Sequence, residues 1–209
     1  GCAESLPILQ GGKMKNQKVI LASGSPRRKE LLTWAGVRFE IMISDVDETP
    51  LKKETPAAMV KRLSHEKALA VGQKIMASGE TAVIIAADTT VVSPQGKILG
   101  KPVDEKDALK MISAIQGKTH TVLTGYSLAK VSKGKVVKTV SKVVKTQVTM
   151  RKLSKAEQGF YLSRGESMDK AGAYAAQGYG MVLIEKINGS YTNVVGLPMK
   201  EVLEDLHKI

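Results

Sequence analysis

Cysteine is nearly missing from this chain: there is one, Cys2, so no intrachain disulfide can form, and the usage suits a reducing compartment such as the cytosol. Long apolar runs are missing as well. The most apolar segment is AVIIAA, Ala82 to Ala87, far short of the about 18 residues that a membrane-spanning helix requires, so no span and no membrane partner are expected. Aromatic residues are scarce at 4%. Negative charge is absent over one long stretch: between Ala108 and Ala156 there is no Asp or Glu, while Lys110, Lys118, Lys130, Lys133, Lys135, Lys138, Lys142, Lys145, Arg151, Lys152 and Lys155 all fall there. Such a block invites nucleic acid, but single strands bind by stacking on aromatic side chains, and Tyr126 is the sole aromatic within it. A solvated two-stranded surface with its charge outward is the better reading, and nucleic acid is disfavoured as a partner.

Other absences narrow the chemistry. The segment GSPRRKE lacks the G-x-x-x-x-G-K-[ST] spacing that wraps a triphosphate in ATPases. His65, His120 and His207 stand apart, without the spacing of a zinc site, and no Ser-His-Asp or Cys-His nucleophile pattern is evident. What is present, 209 residues at 43% hydrophobic content, is ample for a continuous core. Residues 1–13, GCAESLPILQGGK, match no periodic element and are expected to be a leader or cloning remnant, with a single domain over 14–209.

Periodicity orders the rest. KVILA reads as a short buried strand; Ser25-Pro26 reads as N-cap and first helical position of a helix over 27–35 that Gly36 ends. VRFEIMIS reads as a β-segment leading into the acidic DVDET. Thr55-Pro56 opens a long helix to about Ser78, with Val60, Leu63, Val71 and Ile75 on one stripe and Lys67 on the same stripe. AVIIAAD reads as a central strand, followed by TTVVS, a turn at PQG and KILGKP. Asp104 caps a helix over 105–115, HTVLTGYSLAKV and VVKTVSKVVKTQVTM form a long hairpin about SKGK, and Ser154 caps a helix towards Ser163. A Gly-rich loop, a strand MVLIEKI, a turn at Asn188-Gly189 and a helix from about Pro198 complete the chain. Helices alternating with strands around a long hairpin predict an α/β fold with a mixed sheet and flanking helices.

Two constellations carry chemistry. VILASGSPRRKELL runs from a strand through small hydroxyl residues into a helix N-terminus, whose free N–H groups suit phosphate. Ser23 and Ser25 add hydroxyl donors, and Arg27 and Arg28 add guanidinium groups able to grip oxyanions bidentately. Asp88 ends an apolar strand at the place where ligands of α/β sheets collect. A carboxylate there can hold Mg²⁺ or accept a proton from an attacking water, with Glu48 of DVDET as a partner for the metal. Lys67 and Lys101 can reach phosphate oxygens, although stripe lysines more often snorkel and turn lysines are usually solvated.

LASGSPRRKELL, RLSHEKA, AADTTVV with GKILGKP, QGKTHTVLTG, DKAGAYAAQGYG and INGSYTNVVGLP occur in order from about Val19 to Leu206, and jointly the chain resembles the Maf nucleotide pyrophosphatases. The resemblance implies a mixed α/β fold similar to inosine triphosphate pyrophosphatases, with a cleft between two lobes. It implies hydrolysis of a nucleoside triphosphate to the monophosphate and pyrophosphate with Mg²⁺ or Mn²⁺, and it leaves a homodimer open. By the family pattern Asp88 is the proton acceptor, Glu48 and Asp88 serve the metal, and Ser23, Arg28, Lys67 and Lys101 hold phosphates. Arg27, Thr89 and Gln177 match the positions associated with a dTTP and UTP preference. A rival reading is a nucleotide-binding cell-division (septum) regulator without significant turnover. The Lys-rich hairpin is not part of the family motifs.

Overall fold

The computed structural model describes residues 17–209; the expected leader over 1–13 lies outside the described residues. The strands are β1 (Val19–Leu21), β2 (Glu40–Ile41), β3 (Ala82–Val92), β4 (Ile98–Leu99), β5 (Thr119–Ser132), β6 (Lys135–Met150) and β7 (Ile184–Asn188). The helices are α1 (Pro26–Trp34), α2 (Pro56–Ser78), α3 (Glu105–Ile115), α4 (Lys155–Leu162), α5 (Tyr191–Val195) and α6 (Met199–Lys208), with 3₁₀ turns at Ala171–Ala173 and Gly178–Leu183. The sheet runs β2-β1-β3-β5-β6-β7, with β4 on β3. β1 is parallel to both β2 and β3, whereas β4 on β3 and β7 on β6 are antiparallel. The sheet is therefore mixed, as the alternation of elements predicts. Two compact units divide the chain, one of residues 17–88, 125–143 and 196–209, the other of 89–124 and 144–195.

In the first unit α2 lays Ala68, Val71 and Ile75 against Ile20 and Ala22 of the β1 segment, Ala82, Ile84 and Ala86 of β3, and Ala129 and Val131 of β5. The helix begins where Thr55 Oγ1 accepts the Ala58 N–H at 3.2 Å and ends at Gly79, which takes the left-handed conformation that a C-cap favours. One backbone approach is very close: a Cβ at Gly125 of β5 would collide with the Val60 carbonyl of α2. Only a glycine lets the helix sit that low on the strand.

The same unit accounts for part of the lysine block. β5 and β6 turn at Lys133-Gly134, both with positive φ, the geometry of a tight hairpin. From these strands Lys130 Nζ donates to the Ile209 carbonyl at 2.8 Å, Lys138 Nζ to the Lys208 carbonyl at 2.9 Å, and Lys142 Nζ to Asp205 at 2.7 Å. Three of the cations thus satisfy the carboxyl end of α6, where the helix dipole is negative and carbonyls lack intrahelical partners. Asp205 also accepts from the buried Tyr126 hydroxyl at 2.7 Å.

The second unit buries Val91, Ala108, Ile112, Ile115, Val122, Val148, Met150 and Tyr161 together. α4 starts with a full capping box, Ser154 and Glu157 each accepting the other's backbone N–H. Two expected strands are shorter than their apolar pattern suggests. VRFEIMIS pairs only at Glu40 and Ile41, opposite Ile20 and Leu21, because β1 is three residues long; a last hydrogen bond runs from Met42 N–H to the Leu21 carbonyl at 3.1 Å. In MVLIEKI the first three residues belong to the 3₁₀ turn, and the strand starts at Ile184.

His120 is fully enclosed in this core, its Nε2 sharing a 2.7 Å hydrogen bond with Tyr174 Oη. Burial drives its pKa down to about 4 from 6.5. The unfolded chain therefore takes up this proton first as pH falls, so stability present above pH 6.5 is lost between about 6.5 and about 4. The loss is on the order of 3 kcal/mol for this group. Urea unfolding at pH 7.5 and pH 4.5 is expected to show a smaller pH loss in His120→Gln than in the unaltered protein; equal losses would contradict it.

Candidate functional site

Leu21 of β1 lies opposite Ile85 of β3, and the last rung between these parallel strands is Ala22 N–H to the Ile85 carbonyl at 2.8 Å. Beyond this rung β1 ends whereas β3 runs on to Val92, and the carboxyl ends of parallel strands such as β1 are where open α/β sheets gather ligands. From β1 the chain enters Ser23-Gly24-Ser25 and then α1. Asp88, expected to end an apolar strand, lies instead inside β3, three residues past Ile85 and beyond the stretch that pairs with β1, because the strand goes on to Val92.

The turn into α1 departs from simple capping. Ser25 has the extended backbone of an N-cap and Pro26 follows it, but the Ser25 hydroxyl makes no cap hydrogen bond. Its N–H instead donates to Ser23 Oγ at 3.2 Å, and the same oxygen accepts from Arg28 Nη1 at 3.1 Å. Arg28 Nε donates to the Gly196 carbonyl at 2.8 Å. The guanidinium is thus gripped from two sides. Loss of solvent around it pushes its pKa down to about 10; Asp88 and Glu48 oppose that fall, and Arg27 adds to it. Arg28 keeps its charge at neutral pH, and all four charges act within one neighbourhood.

Lys67 does not snorkel. It is 8% exposed on the apolar stripe of α2, and its Nζ lies 2.8 Å from Asp88 Oδ1 and 2.7 Å from Glu48 Oε1. Asp88 is largely enclosed, whereas Glu48 is open to solvent. An ammonium held on an otherwise apolar helix face is tolerated because two carboxylates compensate its desolvation. The carboxylates in turn converge on one cation.

The first unit therefore brings together Ser23, Arg27, Arg28, Glu48, Lys67 and Asp88. Thr89, Lys101 and Gln177 belong to the second unit. Thr89, the residue after Asp88, shares a 2.8 Å hydrogen bond with Thr124 Oγ1, which also donates to the Asn193 carbonyl at 3.1 Å. Lys101 is exposed just after β4, and the preceding Gly100 carbonyl accepts from Gly172 N–H at 3.1 Å. That bond ties the Lys101 segment to the DKAGAYAAQG loop carrying Gln177. Gly172 has φ 72° and no room beside Val91 for a side chain, so the loop needs glycine there.

Sequence reasoning missed the backbone carbonyl of Gly196, the hydroxyl of Thr124 and the short helix α5. The VGLP and THTVLTG motifs were visible, but nothing in residue type shows which carbonyl a distant arginine will meet. Asn193 of α5 is buried, its Nδ2 donating to Thr146 Oγ1 at 2.9 Å and to the Val122 carbonyl at 3.3 Å.

A family model described as Maf-like protein matches residues 18–209. The dTTP/UTP pyrophosphatase of Geobacter sulfurreducens is 44% identical over 196 residues, covering 94% of this chain and 98% of that protein. The dTTP/UTP pyrophosphatase of Syntrophus aciditrophicus is 45% identical over 193 residues, covering 92% and 90%. Among solved structures, a HAM1 protein from Coxiella burnetii aligns at 12% identity with a TM-score of 0.45, covering 92% of this chain and 97% of that one; at that distance nothing further is drawn from it.

Lys67→Met leaves Glu48 and Asp88 facing each other without their cation. A destabilisation of about 2 kcal/mol is expected, below the figure for a fully buried pair because Glu48 is solvated. Added Mg²⁺ or Ca²⁺ should raise the Tm of this variant more than that of the unaltered protein, and an identical response in both would contradict the convergence of the two carboxylates.

Proposed function

The chain belongs to the Maf family, and from that premise we propose that it is a nucleoside triphosphate pyrophosphatase, cleaving dTTP and UTP to the monophosphate and pyrophosphate. The observation that carries the proposal is the meeting, just beyond the paired stretch of two parallel strands, of fixed cations suited to phosphate with two carboxylates that share one cation. The curated relatives, matched over nearly their whole length, bear the corresponding name.

Glu48 and Asp88 fit a divalent ion of the Mg²⁺ type. Both already face a single positive charge, the Lys67 ammonium, and Mg²⁺ takes one or two carboxylates together with water and substrate phosphates. Among the described residues no group of three or more His, Cys, Asp or Glu could form a closed metal cage. Mg²⁺ or Mn²⁺, when bound, supplies charge neutralisation at the phosphate oxygens.

The protein's own groups do the remainder. Arg28, braced by Ser23 and Gly196, presents a preorganised guanidinium to the phosphates, so little reorganisation is needed as charge builds on the leaving group. Asp88, with Oδ1 held by Lys67, accepts a proton from the water that attacks the α-phosphorus. The bond from that phosphorus to the bridging oxygen breaks, and pyrophosphate departs with the electron pair. Lys67 and Lys101 steady the triphosphate. Arg27, Thr89 and Gln177 select the base, the Gln177 amide offering one donor face and one acceptor to a pyrimidine edge. The cytosol, where nucleotide pools reside, is the compartment this role assumes.

Incubation with dTTP, UTP, CTP and ATP in Mg²⁺ should release pyrophosphate at enzyme-like rates from dTTP and UTP first. Asp88→Asn should lower that turnover by roughly 10³-fold or more, with unfolding temperature and circular dichroism little changed. Saturable nucleotide binding without pyrophosphate release, or full activity in Asp88→Asn, would contradict the proposal, the former in favour of a regulator that only binds.

A further inference from the structure

We infer that Glu166 is the positioning residue for base selection, acting by fixing the loop that carries Gln177. The inference rests on the reading of Gln177 as a base-contacting side chain, and it concerns a residue that touches neither phosphate nor metal in that reading. Glu166 stands four residues beyond the end of α4. Its two carboxylate oxygens are divided between two consecutive main-chain donors: Tyr179 N–H reaches Oε1 at 3.0 Å and Gly180 N–H reaches Oε2 at 3.2 Å. These donors open the 3₁₀ turn that immediately follows Gln177. On the other side of Gln177, Ala175 N–H donates to Tyr161 Oη at 3.2 Å, a hydroxyl brought there by α4. The loop is therefore pinned two residues before Gln177 and two and three residues after it.

Steric evidence points the same way. A Cβ at Gly178, where φ is 63°, would run into Glu166 Oε1, and a Cβ at Gly180 would run into the Ala175 carbonyl. The chain from Ala175 to Gly180 is drawn closed on itself, with Gln177 at the turn, the Glu166 carboxylate filling the space beside Gly178 and the Ala175 carbonyl the space beside Gly180. Outside the closure, the Arg164 guanidinium lies 4.6 Å from the Phe160 ring centre and 5.7 Å from that of Tyr179, a third tether on the residue that Glu166 holds. Gln177 itself occupies the N-cap position of the 3₁₀ turn, but its side chain makes no cap hydrogen bond. Glu166 takes over the capping, so the Gln177 amide is aimed without being consumed by its own backbone. A carboxylate suits this task better than an amide because each of its oxygens accepts from an N–H.

A residue that only holds the fold would affect all nucleotides alike; one that aims a base-reading amide affects the ratio between bases. In Glu166→Ala, kcat/KM for dTTP and UTP should fall about tenfold, carried by KM, with kcat within about twofold and the slow ATP reaction unchanged, the scale expected for misplacing one hydrogen-bonding group. Glu166→Gln, which keeps one acceptor oxygen for the loop, should recover part of the selectivity and guards against a failure of the alanine variant to fold. Gln177→Ala is assayed beside them, together with Glu166→Gln/Gln177→Ala, in which the Glu166 change should add nothing further. If Gln177→Ala alters the dTTP to ATP ratio and neither Glu166 variant does, the inference is overturned while the reading of Gln177 stands. If no variant alters the ratio, that reading fails and the inference with it. Equal losses for every nucleotide in the Glu166 variants would also overturn it.

Discussion

The ammonium of Lys67, shared between Glu48 and Asp88, is the interaction on which the site depends. It joins a long helix to the interior of a central strand and to the acidic loop between β2 and α2. Each partner would be unfavourable alone: a lysine on an apolar helix face, a carboxylate within a strand whose preceding residues are wholly buried. Together they form a charge-paired cluster with Arg28 near enough to feel both carboxylates. Such clusters gain little net stability over apolar packing of the same volume. The presence of one within a central strand, beside the end of β1, is therefore better explained by binding than by folding.

The backbone around the cluster is arranged to hold it still. Parallel pairing of β1 with β3 sets Ser23, just past the end of β1, on the same side of the last shared rung as Asp88 of β3, and the close approach of α2 at Gly125 fixes the helix that carries Lys67. Arg28 is restrained through Ser23 and through the Gly196 carbonyl. Preorganisation of this kind matters for phosphoryl chemistry, where positioning and charge stabilisation do most of the catalytic work. In the second unit the same logic operates without an ion pair: Thr89 is tied to Thr124, and the Gln177 loop is closed by the Tyr161 hydroxyl and the Glu166 carboxylate.

Much of this was legible in the residues. The Thr55-Pro56 start and Gly79 stop mark α2, and the long hairpin and the capping box of α4 follow from local pattern. Maf resemblance named the charged residues that the first unit does bring together. What local pattern could not supply was partnership across distance. Ser25 looked like a side-chain cap, yet its hydroxyl makes no cap bond and its N–H donates to Ser23 Oγ. The lysine block reads as a solvated face with its charge outward, yet three of its members bind the end of α6. MVLIEKI has the composition of a strand, but the amides of Tyr179 and Gly180 are captured by Glu166, and the chain turns in 3₁₀ form before pairing can begin. In this last case tertiary hydrogen bonds outweigh a propensity worth only tenths of a kcal/mol per residue.

The central claim is that the cations on α1 and α2 and the two carboxylates serve one shared guest, a triphosphate with its metal. Titration of Mn²⁺ followed by electron paramagnetic resonance, with and without a non-hydrolysable dTTP analogue, measures that directly. Weak Mn²⁺ binding alone and at least tenfold tighter protein-bound Mn²⁺ in the presence of the analogue, beyond what the analogue binds by itself, is the predicted result. Mn²⁺ and analogue binding independently of one another would contradict it.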